Sequence, residues 1–258
     1  MAEQGKSITV KSPEEIQCMF EANQIVAGVL DMLQQRIRPG LSTLKLDHWS
    51  EEYCRDHNSV PAFKGYRGFP GSLCVSINEQ VVHGIPSKKV ILREGDIVSV
   101  DFGVKYKGFF GDSAVTIPVG EVSSEKKKLM QVTRESLDHA IEKVRVGNRI
   151  ADISRAVQTY VESNGFSVVR QFVGHGIGSE LHESPEIPNY VQDSTSSPRI
   201  LEGMVLAIEP MVNAGTYKVK VLKDKWTVVT TDRKPSAHFE HSVAATSNGP
   251  LILSALVH

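Results

Sequence analysis

Glu94-Gly95-Asp96-Ile97-Val98-Ser99-Val100-Asp101 returns 108 residues later as Glu202-Gly203-Met204-Val205-Leu206-Ala207-Ile208-Glu209. Each stretch is a turn, then a β-type apolar run, then a carboxylate. The segments ahead of them repeat too. Ser12-Pro13-Glu14-Glu15 opens a helix: Ser12 suits the cap, Pro13 the first position, and Glu15 can close a capping box. Ile16, Met19, Phe20, Val26, Val29, Leu30 and Leu33 fall on roughly one face, and Pro39-Gly40 ends it. A second helix carries Leu46, Trp49, Tyr53 and Cys54. At a shift of 107, Ile37, Arg38 and Gly40 land on Val144, Arg145 and Gly147, and that second helix lands on Ile153, Ala156, Tyr160 and Val161. Two matching α+β halves at nearly one offset predict a pseudo-symmetric sheet, helices over one face and a cleft between the halves.

Composition narrows the setting. The chain has 258 residues, a net charge of -1 and 40% hydrophobic content, enough for one large domain or two fused halves. Near-zero charge gives no reason to expect nucleic acid as the main ligand. No run of 18 apolar residues is present, and MAEQGKSITV lacks a signal-type apolar stretch, so a cytoplasmic protein is expected. Cys18, Cys54 and Cys74 form no CxxC pair and are expected as reduced thiols.

Four acids stand inside otherwise apolar runs: Asp101 in IVSVDF, Asp112 in FFGDSAV, Glu209 in LAIE and Glu240 in AHFEHSV. A single such acid usually sits on a solvated face or pairs with Lys or Arg. None of these runs contains Lys or Arg, and a buried ionised carboxylate is costly without a compensating positive charge. If Tyr106-Lys107 is a two-residue hairpin loop, Asp101 faces Asp112 directly; a loop one residue longer breaks that register. Opposed like charges repel, and a cation between them removes the conflict. The repeat makes Glu209 the counterpart of Asp101, with Glu240 on the strand beside it. Two divalent ions would cancel four carboxylates, and an oxygen-rich set favours Mn(II), Fe(II), Co(II) or Zn(II) at a hydrolytic site. His175 in GHGIG adds a nitrogen, and its flanking glycines let the backbone come close.

The ordered set Asp101, Asp112, His175, Glu209 and Glu240, in VDFG, GDSAV, GHGIG, IEPMV and FEHS, resembles the ligand set of the pita-bread metallopeptidases. Within them, AFKGYRGFPGSLCVSINEQVVHGIP, Ala62 to Pro86, resembles the type I methionine aminopeptidases, and the likeness covers nearly the whole chain. The resemblance implies a pseudo-two-fold α+β fold with a curved antiparallel sheet covered by two helix pairs. It implies a single catalytic domain over 1–258, with halves at about 12–118 and 123–250. It implies two divalent ions (Co, Mn, Fe or Zn), with Asp101 on one, His175 and Glu209 on the other, and Asp112 and Glu240 bridging. Hydroxide from that centre would attack the scissile carbonyl and free an N-terminal methionine when the second residue is small. Glu209 would accept the proton, His182 in LHESP would stabilise the oxyanion, and His83 in VVHGIP would meet the peptide. Phe63, Tyr66, Phe69, Cys74 and Trp226 would hold the methionine side chain, a thioether suited to aromatic and thiol contacts. Leu181 stands where the family often has an aromatic, a departure that bears on the pocket's shape.

Rival expectations differ in stated ways. Prolidase-like and Xaa-Pro enzymes of this fold usually carry a large N-terminal domain, whereas a helix here begins near Ser12. Type II enzymes carry a long insert between the positions of His175 and Glu209, which 33 residues separate here. A non-catalytic binding relative would have lost metal ligands, and all five are present. The expected partners are nascent polypeptide N-termini, and a monomer is the default. Lys218, Lys220, Lys223 and Lys225 are ordinarily a solvated hairpin, or they steer the enzyme to the ribosome.

Overall fold

The computed structural model describes residues 7–192 and 197–257. The capping box forms as expected. Ser12 Oγ accepts from Glu15 N at 3.3 Å, and the Glu15 carboxylate accepts from Ser12 N at 2.8 Å. Helix α1 (Pro13–Arg36) follows and buries Met19, Val26, Val29, Leu30 and Leu33. Helix α2 (Thr43–Asp56) buries Leu46 and Cys54, with Trp49 and Tyr53 packed at the margin. All three cysteines are free thiols.

Four strands accompany this helix pair: β1 (Val60–Pro61), β2 (Cys74–Ile77), β3 (Ile97–Tyr106) and β4 (Phe109–Pro118). β3 pairs antiparallel with β1 and β2 along one edge and with β4 along the other. α1 lies across β3 and β4, and Val98, Val100, Phe102 and Val104 pack under it.

The plan then recurs. Helix α3 (Ser124–Ile141) is capped by Ser123, and α4 (Ile150–Ser163) packs against it. Strands β5 (Ser167–Val168), β6 (Gly174–Gly176), β7 (Glu183–Ile187), β8 (Val205–Ile208) and β9 (Met211–Asn213) come next. Hairpin β10 (Val219–Val221) and β11 (Val228–Thr230) precedes β12 (Ser236–His238), β13 (His241–Thr246) and β14 (Gly249–Ile252). One sheet has the order β14-β13-β8-β6-β7, and another the order β12-β9-β5. Leu129, Ile153, Leu206, Val212 and Val243 share the core beneath α3 and α4. Antiparallel sheets under two helix pairs are the architecture expected. Among the described residues no helix is long and apolar enough to cross a membrane.

Two ladder details place the acids. β8 meets β13 at Ile208↔His241, and β9 meets β12 at Met211↔His238. The two ladders share one register, interrupted at Pro210, which has no N–H to donate. Glu209 and Glu240 sit at that interruption, just past β8 and just before β13, rather than inside regular strands. The halves join along β4. Ala114 bridges Glu240, Ser242 Oγ donates to Asp112 O at 2.8 Å, and Thr116 Oγ1 donates to His238 O at 2.8 Å.

The hairpin register differs from the direct opposition of Asp101 and Asp112. Asp101 faces Ala114, Asp112 faces Gly103, and the loop is Lys107-Gly108. Both loop residues have positive φ, 48° and 88°, the requirement of a type I′ turn, which Gly108 meets without strain. The pairing moves by two positions, so both aspartates keep one face as diagonal neighbours. A Cβ at Gly108 would touch nothing within 4 Å, so its cost is purely conformational. Gly108→Ala should lower unfolding stability by about 1 kcal/mol, as left-handed backbone requires. Urea unfolding monitored by circular dichroism checks this, and an unchanged midpoint would contradict the turn assignment.

Candidate metal centre and substrate cavity

His175 is aimed by its neighbours. β6 is squeezed between β8 and β7, with a register shift at His175/Gly176. A Cβ at Gly174 would run into Ala207 O, and one at Gly176 into Ser184 O, so both positions require glycine. His175 Nδ1 lies 2.9 Å from Gly176 O. A carbonyl only accepts, so the proton is on Nδ1 and the Nε2 lone pair is free. That lone pair lies 3.7 Å from Glu209 Oε1 and 4.0 Å from Asp112 Oδ2. The free His175 nitrogen and these carboxyl oxygens converge on one point.

The carboxylates repeat this pattern. Asp101 Oδ1, Asp112 Oδ1 and Glu240 Oε1 are buried without any hydrogen-bond partner. Among the described residues no Lys or Arg forms an ion pair with Asp101, Asp112, Glu209 or Glu240. Burial raises the Asp101 pKa to about 7. Burial, then Asp101 and Glu209, push Asp112 well above the usual carboxylate range. Burial, then Asp101, raises Glu209; burial, then Asp112, Glu209 and Asp101, raises Glu240. Ligand atoms of Asp112, His175 and Glu240 all lie within 4.8 Å of one another. Hard oxygens plus one imidazole nitrogen at this spacing fit a divalent cation.

A cavity of about 180 Å³ opens above this floor. The structure brings every site residue read from the sequence to it: Asp101, Asp112, His175, Glu209 and Glu240 at the floor, Phe63, Tyr66, Phe69, Cys74, His83, His182 and Trp226 in the walls. Cys74 pairs across the ladder with Asp101, so its thiol lies beside the acids, and burial first, then Asp101, raises its pKa. The Trp226 ring meets Phe69 edge-on at 5.2 Å. Leu181 also lines the wall.

The histidines are held in neutral surroundings. His83 has φ 59°, a strained left-handed backbone, and its ring lies edge-on to Phe172 and Trp226. Burial lowers its pKa to about 4, and the same cause lowers His175 to about 4. His182 reaches the cavity mouth, its ring centroid 4.2 Å from that of His175 and tilted 40° to it, with Tyr66 Oη 2.9 Å from Nδ1. Burial of its inner face, then His175 and Arg67, lowers its pKa. When the phenol donates to Nδ1, the ring keeps Nε2–H as its donor.

The structure adds residues that the sequence did not single out. Arg67, Val82, Phe172 and Val173 line the cavity. His238 is buried, with Nε2 unpartnered 3.8 Å from Glu209 Oε2. Burial, then His83, lowers its pKa to about 3. Its spacing of two from Glu240 in an extended run was the available signal.

Known proteins resemble this chain over nearly all of its length. The model of metallopeptidase family M24 matches residues 17–247. A methionine aminopeptidase of Clostridium acetobutylicum is 51% identical over 247 residues, covering 96% of this chain and 98% of that protein. The crystal structure of the Thermotoga maritima methionine aminopeptidase superposes with a TM-score of 0.94 at 46% identity, covering 96% of this chain and all of that one. The Pyrococcus furiosus prolidase shares the fold, with a TM-score of 0.77 at 22% identity over 96% of this chain and 66% of its own. Half its residues match those of a methionine aminopeptidase almost end to end, and so the chain belongs to metallopeptidase family M24 and, within it, to the methionine aminopeptidases.

Proposed function

We propose that this enzyme hydrolyses the first peptide bond of nascent proteins, releasing methionine when the second residue is small. One observation carries the reading. Unpartnered buried oxygens of Asp101, Asp112 and Glu240 converge with a free His175 nitrogen beneath an aromatic and thiol-lined cavity. Asp101, Asp112, His175, Glu209 and Glu240 would hold two divalent ions, whose charge would offset the four acids, and Mn(II), Fe(II), Co(II) and Zn(II) all suit the donor set. When bound, such ions supply Lewis-acid activation of water and of the scissile carbonyl.

The chain's own residues do the rest. Phe63, Tyr66, Phe69 and Trp226 take the methionine side chain, with Cys74 offering a soft contact for its sulfur. Glu209 accepts the proton released as water attacks. His182 donates to the oxygen that gains charge, and its neutral ring contributes a hydrogen bond rather than a net charge. His83, fixed by Phe172 and Trp226, meets the peptide beside the scissile bond. The four lysines of the β10–β11 region, Lys218, Lys220, Lys223 and Lys225, are exposed, and a positive surface of this kind would draw the enzyme to ribosomal RNA.

Metal-stripped protein should be inert and should regain methionine release from Met-Ala-Ser on adding Mn(II), Co(II), Fe(II) or Zn(II). Met-Leu-Ser and Ala-Pro-Ser should stay intact. Cleavage of Ala-Pro-Ser instead would place the enzyme in the proline-directed branch, and inertness with every metal under anaerobic conditions would favour a non-catalytic binding role.

The acids also predict a pH dependence. In the metal-free fold burial raises Asp101 to about 7 and holds Asp112 and Glu240 well above the usual carboxylate range, so the fold keeps protons that the unfolded chain has released. Their contribution is therefore lost as pH climbs through 7. The histidines act oppositely, since His83 and His175 fall from 6.5 to about 4 on folding, but only below about pH 6.5. Above about pH 6.5 the acids act alone. The melting temperature of EDTA-treated protein should fall as pH rises from about 6.5 through 7, and Mn(II) should raise it more at the upper end, where the ligands are ionised. A flat profile would mean the acids ionise unaided.

Reversing the four lysine charges should weaken ribosome co-sedimentation and leave tripeptide hydrolysis intact. Unchanged co-sedimentation would remove the ribosome from the partners.

A further inference from the structure

Glu183 follows His182 in the chain and opens β7. Its Oε2 accepts from Lys11 Nζ at 2.5 Å, and its Oε1 accepts from Glu180 N at 3.2 Å. The two side chains are only 3% and 9% exposed. Every other Lys or Arg ion pair among the described residues has a cation more than half exposed. Lys11 comes from the segment before α1 and is fixed there by its own backbone, Lys11 N donating to Gly203 O at 2.7 Å. Room for it is kept by two glycines: a Cβ at Gly178 would run into Lys11 Cε, and one at Gly203 would lie 2.5 Å from Lys11 O.

A buried ion pair is a poor source of stability, because desolvation offsets most of the attraction. What it does well is define one geometry. The turn it holds runs from Gly178 to Glu183. Phe110 N donates to Gly178 O at 2.9 Å, Gly178 N donates to Glu180 O at 3.1 Å, and Glu183 closes the turn. His182 rides on this turn. Tyr66 and His175 touch its ring from the cavity side, but neither fixes the backbone beneath it. Among the described residues only Lys11, 172 residues away in sequence, ties that turn to the rest of the molecule through a charge.

We propose that Lys11 and Glu183 are a positioning pair, which sets the placement of His182 over the scissile carbonyl. This rests on the role given to His182 above. The pair touches no substrate and acts only through that ring.

The variant K11M/E183Q tests it, because it removes both charges and leaves no unpaired one buried. In the metal-loaded full-length enzyme, kcat on Met-Ala-Ser should fall about ten-fold, as small misplacements of a catalytic group do, with KM within about two-fold. The melting temperature should stay close to the parent's. In a His182→Ala background the same double change should cost nothing further, since the group it places is gone. In the metal-free protein, the His182 ring-proton NMR signal, identified by its loss in His182→Ala, should shift. Parental kcat together with an unmoved signal would overturn the proposal, as would an equal loss of kcat with and without His182, which marks general loosening. Should the double variant not fold, K11Q/E183Q carries the same comparisons, since it removes both charges while two amides can still hydrogen-bond to each other and the amide at position 183 keeps an acceptor for Glu180 N. A parent inactive on Met-Ala-Ser would instead unseat the proposed function, and the NMR signal would still decide the placement.

Discussion

Four carboxylates and an imidazole lone pair share one buried site with which no Lys or Arg of the described residues forms an ion pair. A buried unpaired carboxylate costs several kcal/mol, and clustering adds mutual repulsion. Protonation relieves part of this in the metal-free fold, which is why burial and neighbouring acids drive these pKa values upward. A divalent cation relieves it more completely. The site is therefore shaped by a charge it lacks.

Such a site needs rigid donors, and the fold supplies them by placing each on a different packed element. Asp101 is on β3, Asp112 on β4, His175 on β6, and Glu209 and Glu240 at a shared ladder break. β4 is the seam where the halves meet. Along it, serine and threonine hydroxyls replace missing backbone bonds: Ser113 to Glu240 O, Thr116 to His238 O, Ser242 to Asp112 O. Two of these hydroxyls bind the backbone of residues that present acids, Glu240 and Asp112. Joining the halves and aiming the ligands are one set of hydrogen bonds.

Much of this was legible in the chain. Acids inside apolar runs are conspicuous, glycines flanking a histidine announce a close approach, and the capping box at Ser12 appears as written. The hairpin register was not legible. Choosing between Tyr106-Lys107 and Lys107-Gly108 depends on which two residues take positive φ, and only the glycine at 108 marks the answer. The face of Asp112 survived because strand partners slip by two when such a loop moves by one. Pro210 also stood in plain view as the reason Glu209 leaves its ladder. The cavity walls from Phe172 and Val173, and the burial of Lys11, come from contacts across the fold that no local pattern encodes.

Hydrogen-bond donors in the cavity walls face the opposite constraint from the floor. A protonated histidine near the centre would compete with the cation for the same carboxylates. Burial solves this by holding His83, His175 and His238 neutral throughout the range in which the acids ionise around a metal. Two rings of the site have a tautomer set by a neighbour: Gly176 O holds the proton on His175 Nδ1, and a donating Tyr66 leaves the one on His182 Nε2. The same desolvation that makes the acids hungry for a cation keeps the imidazoles from becoming one, so a single low-polarity cavity sorts its titratable groups into ligands below and neutral donors above.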